Sequence, residues 1–109
     1  MGLFNSKKKF KFNVAGLSYR SDDIPNKWFH KPDANCDGLS AELIPEPDNK
    51  HDKNAIMVIV SGIHVGYVPR DLTANVKSIM DKFNVYEIDA YFIRDDYEES
   101  AEVVMFYKK

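Results

Sequence analysis

Two apolar runs, residues 55–60 and 63–68, are separated only by Ser61 and Gly62. Runs this short, rich in Val and Ile and bounded by turn residues, read as strands rather than helices. A two-residue connection between them leaves room only for a tight antiparallel hairpin. The first run is apolar throughout and reads as a fully buried strand. Whatever fold the chain adopts must be built around this hairpin.

The flanking sequence adds more strands. Lys9-Phe10-Lys11-Phe12-Asn13-Val14 alternates polar with apolar, which places Phe10, Phe12 and Val14 inward. Leu39-Ser40-Ala41-Glu42-Leu43 alternates in the same way, and Pro45 and Pro47 end it because proline cannot donate to a ladder. Residues 85–93 and 101–107 are rich in β-branched and aromatic side chains, with an acidic turn between them. Gly16 and Gly66 read as bulge or close-approach glycines.

One segment has a different period. Leu72, Val76, Ile79, Met80 and Phe83 form a single apolar stripe at helical spacing, with Asp71 placed to cap it. The expectation is a mostly β chain of six strands, with one helix at about residues 71–83 between the fourth and fifth strands. Short strands with turns between them suit a small closed or partly open barrel. Residues 21–38 show no clean period and read as a long loop from which Trp28 and Phe29 fold back onto the core.

The chain has 109 residues, enough for one core. Residues 1–8 read as a frayed start and 9–109 as a single domain. Met1-Gly2-Leu3-Phe4-Asn5-Ser6 matches a loose myristoylation pattern, but no membrane partner is expected. No apolar run approaches the ~20 residues of a membrane-spanning helix. The start lacks the apolar region of a secretory signal. Cys36 is the one cysteine, which excludes an internal disulfide and suits a reducing, cytoplasmic location.

The formal net charge is −2 but unevenly spread. Residues 1–20 carry Lys7, Lys8, Lys9, Lys11 and Arg20 and no acid, whereas residues 86–102 are strongly acidic. Clustered charge of this kind acts on a partner locally, over roughly 8–10 Å at ordinary salt.

The densest polar stretch, Glu46-Pro47-Asp48-Asn49-Lys50-His51-Asp52-Lys53-Asn54, immediately precedes the hairpin. A calcium loop is excluded because Lys50 stands where the third-position ligand belongs and Ile59 where the bidentate Glu belongs. His30, His51, His64 and Cys36 lack zinc-ligand spacing. No phosphate-binding loop, nucleophile elbow or zinc-protease motif is present, so no enzyme, cofactor or metal is expected. Asn54 reads as the residue that pins the turn. Asp52 suits either a turn or a ligand contact.

Three blocks together resemble the HIRAN domain family: Val14-Ala15-Gly16-Leu17-Ser18-Tyr19; Glu46-Pro47-Asp48-Asn49 followed by Asp52-Lys53-Asn54-Ala55-Ile56-Met57-Val58; and Val65-Gly66-Tyr67-Val68-Pro69-Arg70. That family is best known as an N-terminal module of SWI/SNF-type translocases that remodel stalled replication forks, and it also stands alone in bacteria and phages. The resemblance implies an OB-like barrel that binds single-stranded DNA at a free 3′ end, in DNA repair at the replication fork. It places Tyr19 at the terminal nucleotide, Asp52 on the 3′-hydroxyl, and His51 where an aromatic occurs in the family. Lys53, Tyr67 and Arg70 would follow the phosphates, and Phe92 would offer a second stacking surface. The implied partners are single-stranded DNA and a helicase or nuclease protein, with the chain itself a monomer.

These residue types suit the task. Base–aromatic stacking contributes ~1–3 kcal/mol per base with little sequence preference. Lys and Arg gain affinity by releasing counterions from phosphates. An ionised Asp accepts a hydroxyl hydrogen bond and repels a terminal phosphate. The acidic balance of the chain supports a different expectation, a protein-interaction module that uses the 95–102 turn or the Trp28 loop.

Overall fold

The computed structural model of the protein describes residues 7–109. The expectations for residues 1–6 lie outside the described residues. Strands β1 (Lys8–Asn13), β2 (Phe29–His30), β3 (Leu39–Pro45), β4 (Ile56–Val60), β5 (Ile63–Tyr67), β6 (Asn84–Arg94) and β7 (Glu99–Lys108) accompany one helix, α1 (Thr73–Lys82). The sheet runs in the order β1-β7-β6-β3-β4-β5, with β2 added in parallel to β6. Paired hydrogen bonds between Ala15 and Tyr67, at 2.8 and 2.9 Å, bring the two ends of that path together. The result is the mostly β, OB-like architecture, with the helix between the fourth and fifth of its long strands.

The hairpin of β4 and β5 turns through Ser61 and Gly62, both in the left-handed region at φ 49° and 80°. Positive φ at both central residues is the turn geometry whose twist matches the flanking strands. The β4 run is less buried than its composition suggests. Ile56, Val58 and Val60 are fully enclosed, while Met57 and Ile59 face outward and are half-buried. An all-apolar run hides the alternation that an antiparallel strand still obeys.

The core gathers Phe12, Leu43, Val58, Val65, Val76, Val103 and Met105 from both ends of the chain. Phe10 and Val14 pack beside it, as the alternation in β1 predicts. Opposite Val58 and Ile59 the register shifts, leaving Val65 as an extra residue in β5. Gly66 sits at this bulge because there is no space for a side chain. A Cβ there would lie 2.4 Å from Val14 Cγ1 and 2.5 Å from the Ala15 carbonyl oxygen.

Several expectations need correction. Among the described residues there are seven strands, not six, because Phe29–His30 pairs with Phe92 and Ile93 inside the region read as loop. Two residues are too few to show a period. The helix begins at Thr73, preceded by a 3-10 turn at Arg70–Leu72, and Asp71 provides no side-chain cap. Instead, Thr73 Oγ1 donates to the Arg70 carbonyl at 3.0 Å. Trp28 and Phe29 do return to the core, packing on Phe92 with ring centroids 5.4 and 5.5 Å away.

Candidate nucleic-acid interface

The Ala15–Tyr67 closure puts three chain segments side by side at the barrel rim. The first is a 3-10 turn, Leu17–Tyr19, entered through Gly16 at φ 76°. Left-handed backbone at Gly16 swings the chain off the end of β1 at low steric cost. Leu17 plugs the core, so Tyr19 is thrown outward and is 91% exposed. The second segment is the polar run 46–54, and the third is the end of β5 leading into Arg70. Together they line an open cleft of about 700 Å³ with Tyr19, Arg20, His51, Asp52, Tyr67 and Arg70 on its walls.

The polar run is held by Asn49 rather than by Asn54. Asn49 Oδ1 accepts the backbone N–H groups of His51 and Asp52, each at 2.9 Å. Asn49 Nδ2 donates to Glu46 Oε1 at 2.7 Å, and Tyr67 Oη donates to the same oxygen at 2.9 Å. These two donors hold the Glu46 carboxyl below its ordinary pKa, Asn49 contributing more than Tyr67. Asn54 donates only its backbone N–H, to Asp52 Oδ1 at 2.9 Å. Two candidates carry the same amide side chain, and the one that can reach both sides of the turn does the pinning.

Asp52 is positioned from two sides. One oxygen takes the Asn54 N–H, and the other stands 3.5 Å from Arg70 Nε. Arg70 Nη2 also donates to the His51 carbonyl at 3.3 Å. The Arg70 side chain remains 75% exposed. A carboxylate has about four lone-pair sites, so Asp52 keeps acceptor capacity facing the cleft.

Arg20 lies outside the three blocks that carry the resemblance, yet its guanidinium stands 5.8 Å from the Tyr67 ring centre, inside the cleft. The only sequence signal for it is adjacency to Tyr19. The His64 ring packs against the Tyr67 ring in a T-shaped contact, with centroids 4.8 Å apart. His64 Nε2 lies 2.9 Å from the Gly66 carbonyl, which can only accept, so that nitrogen carries the proton. Burial, with the Arg20 charge adding to it, pushes the His64 pKa down and keeps the ring neutral.

Of the residues expected at the site, Tyr19, His51, Asp52, Tyr67 and Arg70 come together at this cleft. Lys53 is exposed and is not part of the lining. Phe92 is a correction: it is 1% exposed and packs under Trp28 and Phe29 in the core, so no base can stack on it. Its aromatic type in a strand gave no sign of which face it occupies. Tyr97 is the aromatic that the sequence reading passed over. It stands 95% exposed on the β6–β7 turn, whose backbone is pinned by Asp95 Oδ1 accepting from Tyr97 N–H at 2.7 Å and Glu98 N–H at 2.8 Å. A second groove, lined by Gly16, Ser18 and Tyr97, adjoins the cleft at Gly16.

The comparisons with known proteins bear on the fold and the family. The chain is similar in structure to the HIRAN domain of human HLTF, with a TM-score of 0.55 and 20% identity, over 93% of this chain and 77% of that one. No curated protein sequence matches it significantly. The family profile described as the HIRAN domain matches residues 7–105, and the chain therefore belongs to the HIRAN domain family, known as DNA-binding modules.

Proposed function

We propose that the rim cleft captures single-stranded DNA, preferably at a free 3′-hydroxyl end. The observation that carries this reading is the exposed Tyr19 ring beside the Asp52–Arg70 pair in one open cleft. Tyr19 supplies a stacking face for the terminal base. Asp52 accepts a hydrogen bond from the 3′-hydroxyl, and a phosphate in its place would meet carboxylate repulsion. Arg70 and Arg20 are the cations nearest the path of the backbone, and Tyr67 positions Arg20 through its ring. Tyr97 takes the second stacking role, since Phe92 is buried. Lys53 contributes at long range only. Acting as a monomer or as part of a larger assembly, the module would deliver strand ends to a helicase or nuclease in DNA repair.

Fluorescence anisotropy at low salt, comparing oligonucleotides ending in 3′-hydroxyl and 3′-phosphate, tests the reading. Tighter binding of the hydroxyl end is expected, with the preference narrowed in Asp52→Ala. Equal affinity for the two ends removes end capture. Absence of binding to either favours the other reading, in which the acidic turn around Tyr97 docks a protein.

A further inference from the structure

The outer face of β1, β7 and β6 carries an ordered pattern that the cleft does not use. Val104 and Phe106 alternate with the core residues Val103 and Met105, so they point away from the core. Val104 is nevertheless only 5% exposed, and it shares a shallow groove with Phe106, Lys9 and Lys11. The strand register arranges this face in rungs. Lys9 lies opposite Phe106, which lies opposite Glu87; Lys11 lies opposite Val104, which lies opposite Asp89. Lysines line one flank, carboxylates the other, and an apolar stripe one strand wide runs between them.

Within the chain these charges are not matched. Among the described residues neither lysine forms an ion pair, and the two ion pairs present are Arg70–Asp52 and Arg94–Glu99. Burial, a hydrogen bond that protonated Asp89 donates to Glu87 and the Glu87 charge raise the Asp89 pKa to about 6, as befits a carboxylate pair without a cation in reach. Lysines on an edge strand also discourage edge-to-edge pairing, and that accounts for β1. It does not account for acids at matching rungs two strands away.

We propose that this face binds a second copy of the chain about a two-fold axis running along β7. Such a rotation lays each β1 over the β6 of the other copy and leaves position along the strands unchanged. Lys9 then meets Glu87 of the second copy, Lys11 meets Asp89, and Phe106, the partly exposed member of the stripe, meets its own counterpart. An isologous contact requires this kind of self-complementary surface. Nucleic acid satisfies the lysine flank alone and is repelled by the other. The loop at residues 31–36 lines the same groove and Val104 is already enclosed, so the contact centres on the Phe106 rung. There Tyr86 packs on Phe106 and extends the apolar area.

Sedimentation velocity at low salt tests the proposal with two charge-reversed chains, Lys9→Glu with Lys11→Glu, and Glu87→Lys with Asp89→Lys. The wild type is expected to dimerise with rising concentration, and each variant alone to lose dimerisation while keeping its circular dichroism. An equimolar mixture of the two is expected to recover a dimer, because every like-charge contact becomes an opposite one. If the Asp89→Lys chain does not fold, Lys9→Glu and Glu87→Lys repeat the exchange at one rung. A wild type that stays monomeric overturns the proposal, as does a dimer that survives in both variants alone. A monomeric wild type whose DNA affinity falls in the Lys9→Glu, Lys11→Glu chain would assign the lysines to nucleic acid instead.

Discussion

Tyr67 donates a 2.9 Å hydrogen bond to Glu46, and this contact ties the closing strand of the barrel to the loop that presents Asp52. Asn49 continues the chain, donating to the same Glu46 oxygen and receiving the Asp52 N–H. The barrel closure at Ala15–Tyr67 and the placement of the candidate 3′-hydroxyl acceptor are therefore parts of one hydrogen-bonded unit. Asp52 is a ligand candidate whose position is set by the hydrogen-bonded unit around it.

Asn49→Ala tests that dependence. It removes the acceptor of two backbone N–H groups and a donor to Glu46, while every core residue stays in place. Net hydrogen bonds of this kind are worth ~1 kcal/mol each, so the three lost bonds set an upper limit of roughly a hundredfold on the loss of affinity for 3′-hydroxyl oligonucleotides, and a loss of at least about tenfold is expected. The preference over 3′-phosphate ends should shrink with it. Faster amide exchange at His51 and Asp52, with the β6 and β7 amides unchanged, would locate the effect in the loop.

Glu46 gives the same unit a pH signature. Its folded pKa is below the usual 4.5, through Asn49 first and Tyr67 second. The folded state therefore holds fewer protons than the unfolded chain in this window. The associated stability is fully present above the unfolded value and is lost as pH falls through the folded one. Urea unfolding followed from neutral to acid pH should show a shallower acid decline in Glu46→Gln than in wild type. An identical slope in the two would show that the Asn49 and Tyr67 contacts do not favour the charged carboxylate.

Much of the fold is legible in the sequence, for reasons that are local. The period-two alternation in β1 and β3, the Ser61–Gly62 turn and the helical stripe from Leu72 to Phe83 each announce themselves within a short window. Strand β2 does not, because its pairing with β6 is a tertiary event involving two residues. The site divides in the same way. Tyr19, Asp52, Tyr67 and Arg70 are carried by blocks whose order can be read directly, whereas Arg20 enters the cleft only because Gly16 turns the chain back across Tyr67. Phe92 and Tyr97 look alike as aromatic residues near a strand end. Which one is buried depends on strand phase relative to the Asp95 turn, and Trp28 and Phe29 must arrive from a distant loop to cover Phe92.

Gly66→Ala addresses the closure itself. The added methyl would overlap the Val14 side chain and the Ala15 carbonyl, both well inside contact distance. The Ala15–Tyr67 hydrogen bonds must lengthen to admit it. Overpacking of this kind costs about 1–3 kcal/mol. The midpoint of thermal unfolding should fall, and DNA affinity should fall with it even at temperatures where the variant is folded, because Gly16, Tyr19 and Tyr67 share the disturbed rim. A variant with lowered stability and unchanged affinity would separate the closure from the cleft.

Phe92 and Tyr97 make opposite predictions that distinguish core from binding surface. Phe92 is enclosed by Trp28 and Phe29, so Phe92→Ala leaves a cavity and should destabilise the chain by about 3–5 kcal/mol. Tyr97 projects from a turn into solvent, and Tyr97→Ala should leave the unfolding midpoint within error. If the strand passes from the cleft through the groove at Gly16 and Ser18, Tyr97→Ala removes one stacked base, worth ~1–3 kcal/mol. That loss should show with an oligonucleotide long enough to reach the turn and vanish with a dinucleotide, while Tyr97→Phe retains the binding because the ring carries it. Unchanged affinity for long and short strands alike would confine recognition to the cleft around Tyr19.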